Sequence, residues 1–292
     1  MAPYVMLAES YQFTEEYGEA LALLDKAAVF APNSLPLVEK RISLFVRQNS
    51  YLEALRLLVP LIKSAKGRDY RQAQGLALSL GEHNLSLFEQ FLRELEALDD
   101  VALWSEEFVK DLLTKAVNSK RWKMASVLID SALRVAPEDL GLRFRNSRVQ
   151  GEIVGKSSEY RLLREILPDA EALLGVSSKE IVSRYLVLLR EVEGDSAWRQ
   201  FLEKQVETFP SLPLYRVALA EAYESSGQTT KAQAVLREGL SRGGGTAEMS
   251  FRLGRLYEKS GSKSLATGYY RDALKQDPEH EAARKRLNAL VK

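Results

Sequence analysis

The most specific chemical signature in the chain is Gly151-Glu-Ile-Val-Gly155-Lys156-Ser157, which combines glycines, a lysine and a hydroxyl residue in the manner of a phosphate-binding loop. Such a loop needs four residues between its glycines to wrap backbone N–H groups around phosphates, and only three, Glu152, Ile153 and Val154, stand here. It also needs a preceding strand, whereas Arg143–Gln150 reads as helix. The segment is expected to join two helices and to bind no nucleotide. Gly243-Gly244-Gly245 invites the same chemistry but lies where two repeating segments meet, and reads as a helix end. The adjacent carboxylates Glu15-Glu16, Asp99-Asp100 and Glu106-Glu107 point about 100° apart on a helix, so none is a facing acid–base pair. They read as solvated helix starts, where negative charge complements the dipole. His83 and His280 have no second histidine or carboxylate at ligand spacing and read as surface residues. Zero cysteines exclude disulfides, thiolate metal sites and cysteine nucleophiles. Trp104, Trp122 and Trp198 are expected to pack between helices, with one at most serving as a ligand platform. The chain is therefore expected to be no enzyme and to hold no metal or cofactor.

Composition narrows the partners. Lys+Arg of 41 against Asp+Glu of 40 leaves a formal net charge of +1, and a nucleic-acid binder usually carries a basic excess. No nucleic-acid partner is expected. No stretch approaches the ~18 apolar residues of a membrane span, so no membrane insertion is expected. The uncharged run from Ala27 to Val38 is broken by Pro32 and Pro36. No basic start followed by an apolar core marks a signal peptide, and a chain without cysteines suits cytoplasm and periplasm alike, so a soluble protein of either compartment is expected.

The elements that carry these residues repeat. Tyr223, Gly227 and Ala232 recur as Tyr257, Gly261 and Ala266, and Tyr17, Ala20 and Leu24 recur as Tyr51, Ala54 and Leu58, each 34 positions later. Leucine and tyrosine at i, i+3 or i+4 spacing, as in Leu253 with Tyr257, form the apolar stripe that a helix buries. Ala20, Ala54, Ala125, Ala232 and Ala266 would let a second helix approach its neighbour closely. Gly227 and Gly261 fall between helices, where a positive φ is cheap only for glycine. Ser177 with Glu180 reads as a capping box opening the helix of Ile181 and Val182. No segment alternates apolar and polar for long, so no sheet is indicated.

The pattern resembles the tetratricopeptide (TPR) repeat, a 34-residue helix–turn–helix unit. The fullest copy, 247–280, has Leu253-Gly254, Tyr257, Gly261, Ala266, Tyr270, Ala273 and Pro278 in that family's order. The copy 213–246 replaces the late alanine with Gly239, and 179–212 puts Trp198 where a small residue is expected, with Ala197 as a substitute one position away. The segments are 1–34, 35–68, 106–139, 179–212, 213–246 and 247–280, with irregular units at 69–105 and 140–178 and a C-terminal capping helix at 281–292. Around Gly151–Ser158 and Pro168-Asp169 the fifth unit carries extra residues, for which a longer loop or an altered stacking angle is expected. The resemblance implies an all-α, right-handed superhelical solenoid of about eight hairpins stacked on one continuous core. Tyr4 already lies inside a repeat, which reads as a segment of a longer array.

In that family the first helix of each unit lines a concave face that takes up peptides or partner segments. Carried over residue by residue, the partner-binding groove comprises Phe144, Arg148, Ser183, Val187, Arg190, Val217, Glu221, Phe251 and Arg255, with Val5, Glu9, Lys110 and Thr114 in the same series. The Lys and Asn set with which some TPR domains grip a C-terminal carboxylate is not present, so chaperone-tail binding is not expected. Arg143, Arg145 and Arg148 concentrate positive charge, which reads either as a solvated helix face or as a partner contact. The expected function is a non-catalytic protein-interaction scaffold holding a protein or peptide, with a narrower version in a bacterial cell-envelope assembly for secretion or polysaccharide export. The alternative is an RNA-binding helical repeat.

Calorimetry with ATP or GTP should therefore give no saturable heat. Saturable binding that disappears in Lys156→Ala would restore the phosphate-loop reading of Gly151–Ser157.

Overall fold

Alanine and glycine decide where helices touch, and turn geometry decides where they end. The computed structural model of the protein describes residues 2–32, 34–64, 67–96, 107–173, 176–210, 212–242 and 245–291. Among these residues there are helices and turns and no strand. The helices fall into antiparallel pairs along the chain: Ala2–Phe13 with Tyr17–Ala28, Glu107–Asn118 with Trp122–Val135, Pro213–Ser225 with Thr229–Ser241, and Ala247–Lys259 with Lys263–Gln276. Leu35–Arg47 pairs with Tyr51–Arg56, whose helix is interrupted at Leu57 before Leu58–Ser64. Pro60 explains the interruption, because it has no N–H for the Arg56 carbonyl and its ring crowds that group. Gly67–His83 and Leu85–Glu96, then Leu140–Ile153 and Lys156–Leu173, and the long Val176–Thr208 element complete the order, with Glu281–Val291 last.

The regular hairpins share one turn. Its fifteenth residue has a positive φ: Glu15 (62°), Asn49 (57°), Lys120 (58°), Gly227 (74°) and Gly261 (80°). The following N–H donates back to the carbonyl five residues earlier, as in Glu16 to Tyr11 (2.9 Å), Ser50 to Phe45 (2.8 Å), Arg121 to Ala116 (2.9 Å), Gln228 to Tyr223 (2.8 Å) and Ser262 to Tyr257 (2.8 Å). This is a Schellman closure, and it stops each first helix at the same place. Only two of the five turns use glycine; the other three bear the cost of a side chain in the left-handed region.

The irregular units are those whose turns differ. Gly151 is helical, and the break falls at Val154 and Gly155 (φ 121°). The extra residues of this unit lengthen the Lys156–Leu173 helix, which runs through Pro168, so the first of the two expectations, a longer loop, is not met at Pro168-Asp169. The Val176–Thr208 element includes Ser177 and breaks at Gly194 with φ 89° and ψ 173°. That backbone region is open essentially to glycine alone.

Contacts divide the chain into two compact units, Met1–Leu162 and Leu163–Lys292. In the first, Leu55, Leu58, Leu78, Phe88, Phe91, Leu112 and Leu128 form a fully buried core, with a smaller cluster around Ala8, Leu24 and Leu44 near the N-terminus. In the second, Leu202, Tyr215, Leu236, Leu253 and Tyr270 are fully buried. The five alanines placed for close approach, Ala20, Ala54, Ala125, Ala232 and Ala266, are all 0% exposed. The sixth unit departs from this: Trp198 is buried and Ala197 is not.

Gly254 shows how tight the approach is. A Cβ there would lie 2.7 Å from Cε1 and 2.8 Å from Cδ1 of the fully buried Tyr270 ring. Gly254→Ala should therefore destabilise the chain by about 1–3 kcal/mol, although alanine is the better helix former. At Gly268 an added Cβ meets nothing within 4 Å, and Gly268→Ala should instead stabilise by about 0.5–1 kcal/mol. Thermal or urea melts of the two variants check both signs.

Candidate functional site

Two stripes of the second unit meet in an open cleft of about 350 Å³. Ser183, Leu186, Val187 and Arg190 stand at i, i+3, i+4 and i+7 on the first half of Val176–Thr208, and Leu214, Val217, Ala218 and Glu221 repeat the spacing on Pro213–Ser225. That spacing keeps each set on one helix face. The opposite face of Pro213–Ser225 is spent on packing through Tyr215, Arg216, Leu219, Ala222 and Tyr223. Glu191 and Trp198 complete the lining. Trp198 reaches the cleft because the chain turns at Gly194, and its bulk sits where the regular hairpins place alanine. A large ring at such a position holds helices apart.

The charges here are paired with one another. Arg190 Nε donates to Asp195 Oδ1 (2.6 Å), its Nη1 donates to Glu221 Oε1 (3.4 Å), and its guanidinium lies 4.4 Å from the centre of the Trp198 ring. Glu221 Oε2 accepts from Arg252 Nη1 (3.1 Å), and Arg252 Nε donates to Glu248 Oε1 (2.5 Å). Arginine and glutamate thus alternate across three successive first helices. Burial alone disfavours the Arg252 charge, but its hydrogen bonds to Glu248 and Glu221 outweigh this and hold the guanidinium above its usual value. Arg255 and Lys259 both reach Glu224, at 3.5 and 3.6 Å.

The structure thus brings together Ser183, Val187, Arg190, Val217 and Glu221, five of the residues expected in the groove. Phe251 is placed differently. Its ring packs 5.8 Å from Tyr270 and 4.8 Å from His280, so it belongs to the interhelical packing. His280 is half-buried there, accepts from the Ala283 N–H at Nδ1 (3.3 Å) and so caps the last helix, a role the surface reading missed. His83, by contrast, is exposed and stacks on Tyr51 at 5.4 Å. In the first unit, Phe144 is half-buried, and Arg148 pairs at 3.3 Å with Glu159, whose side chain is buried against Gly151. Arg143 pairs with Glu138 at 3.6 Å, so two members of the basic concentration serve the fold's own carboxylates. Trp122 packs against the first unit's core. Trp104, Asp99, Asp100, Glu106, Gly243 and Gly244 lie outside the described residues. Among the described residues there is no group of three or more His, Cys, Asp or Glu arranged to hold a metal ion, and no helix is long and apolar enough to cross a membrane.

One residue of this region carried little sequence signal. Arg216 is 2% exposed and pairs with Glu238 at 3.5 Å; a Cβ on Gly239 would lie 2.9 Å from Arg216 Cδ, which explains why glycine replaces the late alanine in this repeat. Trp198 did leave a signal: it broke the small-residue period.

Residues 247–280 match the family model described as tetratricopeptide repeat. Those residues are a tetratricopeptide repeat. Solved structures with a similar fold include a thermophilic TPR protein from Thermus thermophilus, 21% identical over 62% of this chain and 96% of that one, with a TM-score of 0.41. A TPR protein from Parabacteroides merdae is 12% identical over 100% of this chain and 98% of that one, with a TM-score of 0.42. YrrB, described as a TPR protein with an unusual peptide-binding site, is 13% identical over 62% of this chain and 90% of that one, with a TM-score of 0.39. No curated protein matches the chain significantly by sequence.

Beneath the cleft, Tyr215 donates its hydroxyl to the buried Glu171 carboxylate. Burial pushes the Glu171 carboxyl above the usual carboxylate range, and the Tyr215 hydrogen bond offsets only part of this. The Tyr215 phenol is pushed up as well, by burial and by Glu171. A carboxyl raised by folding gives stability that is complete below its unfolded-state value and is lost as pH rises through the folded one. Glu171→Gln should therefore gain on the parent chain in melting temperature as pH rises from the usual carboxylate range towards neutral. A difference that stays flat with pH would show that Glu171 titrates alike folded and unfolded.

Proposed function

We propose that this protein is a non-catalytic scaffold that holds a partner protein or peptide against the first helices of its repeats, with the Val187–Val217 cleft as a contact point. One observation carries the reading: stripes from two successive first helices, on faces their own packing leaves over, converge on a cleft large enough for side chains of a partner. The near balance of positive and negative residues and the internal pairing of Arg190 and Arg252 favour a protein partner over a nucleic acid, which would draw on free cations. Tetratricopeptide repeats are consistent with such a role, since each unit buries one face on its neighbours and keeps another for recognition.

A photo-crosslinking amino acid placed at Val187 should capture a partner protein from native extract, and the yield should survive nuclease. The same group at Leu265, exposed on the second helix of its repeat, should capture little. Capture from Leu265 alone would place the contact elsewhere. Recovery that vanishes with nuclease would favour RNA.

A further inference from the structure

We infer that the cleft accepts an uncharged, apolar side chain of about leucine or phenylalanine size from its partner, and that Arg190 is a positioning residue that braces the cleft without contacting the ligand. This rests on the scaffold reading above and names the chemistry of that same site. Sequence alone favours arginine as an anchor, since arginine so often dominates interfaces. The geometry points the other way. Arg190 is already held by Asp195 and Glu221 and lies over the Trp198 ring, and Glu221 divides its two oxygens between Arg190 and Arg252. A ligand carboxylate would meet a guanidinium whose charge Asp195 and Glu221 already offset and would be repelled by both, and a ligand cation at Glu221 would meet Arg190 and Arg252 already there. Either adds little to pairs already formed.

What remains open is mainly apolar, with Ser183 and Glu191 as the exposed polar residues of the lining. Val187 is 47% exposed, Val217 is half-exposed, and Leu214 and Ala218 stand beside it across from the Trp198 ring. An apolar side chain placed there releases water and breaks no existing pair. Arg190 sets the width of this space, because its guanidinium ties the turn at Asp195, the Trp198 ring and the next helix at Glu221 together.

The test titrates the isotope-labelled full chain with N-acetyl-leucinamide, N-acetyl-phenylalaninamide and the N-acetyl amides of glutamate and arginine, following the Trp198 indole and the Val187 and Val217 amides by NMR. The leucine and phenylalanine probes should shift these resonances saturably, to the same extent at low and high salt, while the glutamate and arginine probes do not. Val187→Asp, at an exposed position that leaves the melting temperature unchanged, should abolish the shifts. Arg190→Ala should move the Trp198 indole resonance of the free protein and weaken both apolar probes by the same factor, leaving their ranking intact. Preference for the glutamate probe, lost in Arg190→Ala, would overturn the assignment and make Arg190 a contact, with the scaffold reading still standing. If no probe moves these resonances, the cleft is not a contact point and the scaffold reading of it falls as well.

Discussion

Everything in this chain depends on how closely the two helices of a hairpin approach. A lone pair of short helices cannot bury the apolar face it presents, and the deficit is met by stacking at a distance that only small residues permit. Ala20, Ala54, Ala125, Ala232 and Ala266 lie at those crossings with no exposed surface. Gly254 goes further and admits the Tyr270 ring where even a methyl group would collide. The turn must then deliver the second helix in register, and the Schellman closure at the fifteenth residue does so in every regular hairpin, whatever side chain stands there.

Where this rule is relaxed, the surface changes. Trp198 occupies a crossing position with a side chain far larger than alanine, and Gly194 replaces the Schellman turn with a sharper break. The ring lines one side of an open cleft. Arg216 and Gly239 are the opposite exchange in the next repeat, a large buried side chain accommodated by removing a methyl group from the facing helix. Both cases conserve volume locally, as close packing demands.

The polar residues follow a second pattern. Arg190, Glu221 and Arg252 are each 31 positions apart and connect three first helices in an alternating ladder. Single pairs of this exposure contribute little to stability, but a connected set fixes the orientation of the side chains around the cleft. The same residues that look most like ligand contacts in the sequence are thus occupied within the fold. Arg148 with Glu159 makes the same point in the first unit.

The sequence by itself determined the helical class, the 34-residue period, the alanine crossings and the helix faces that carry Ser183, Val187, Arg190, Val217 and Glu221, because each follows from local spacing on a 3.6-residue helix. It showed two of the five positive-φ turns, Gly227 and Gly261, because only there does the residue type betray the backbone; at Glu15, Asn49 and Lys120 the conformation is imposed by the helices on either side. Tertiary structure alone decided that Phe251 packs against Tyr270 and His280, that His280 caps a helix, and that Trp198 lines a cleft under Arg190. Which charges meet across 31 residues of chain depends on helix separation and on side-chain reach. Neither quantity is written in a periodic pattern, since the pattern names the face a residue occupies and not what stands opposite it.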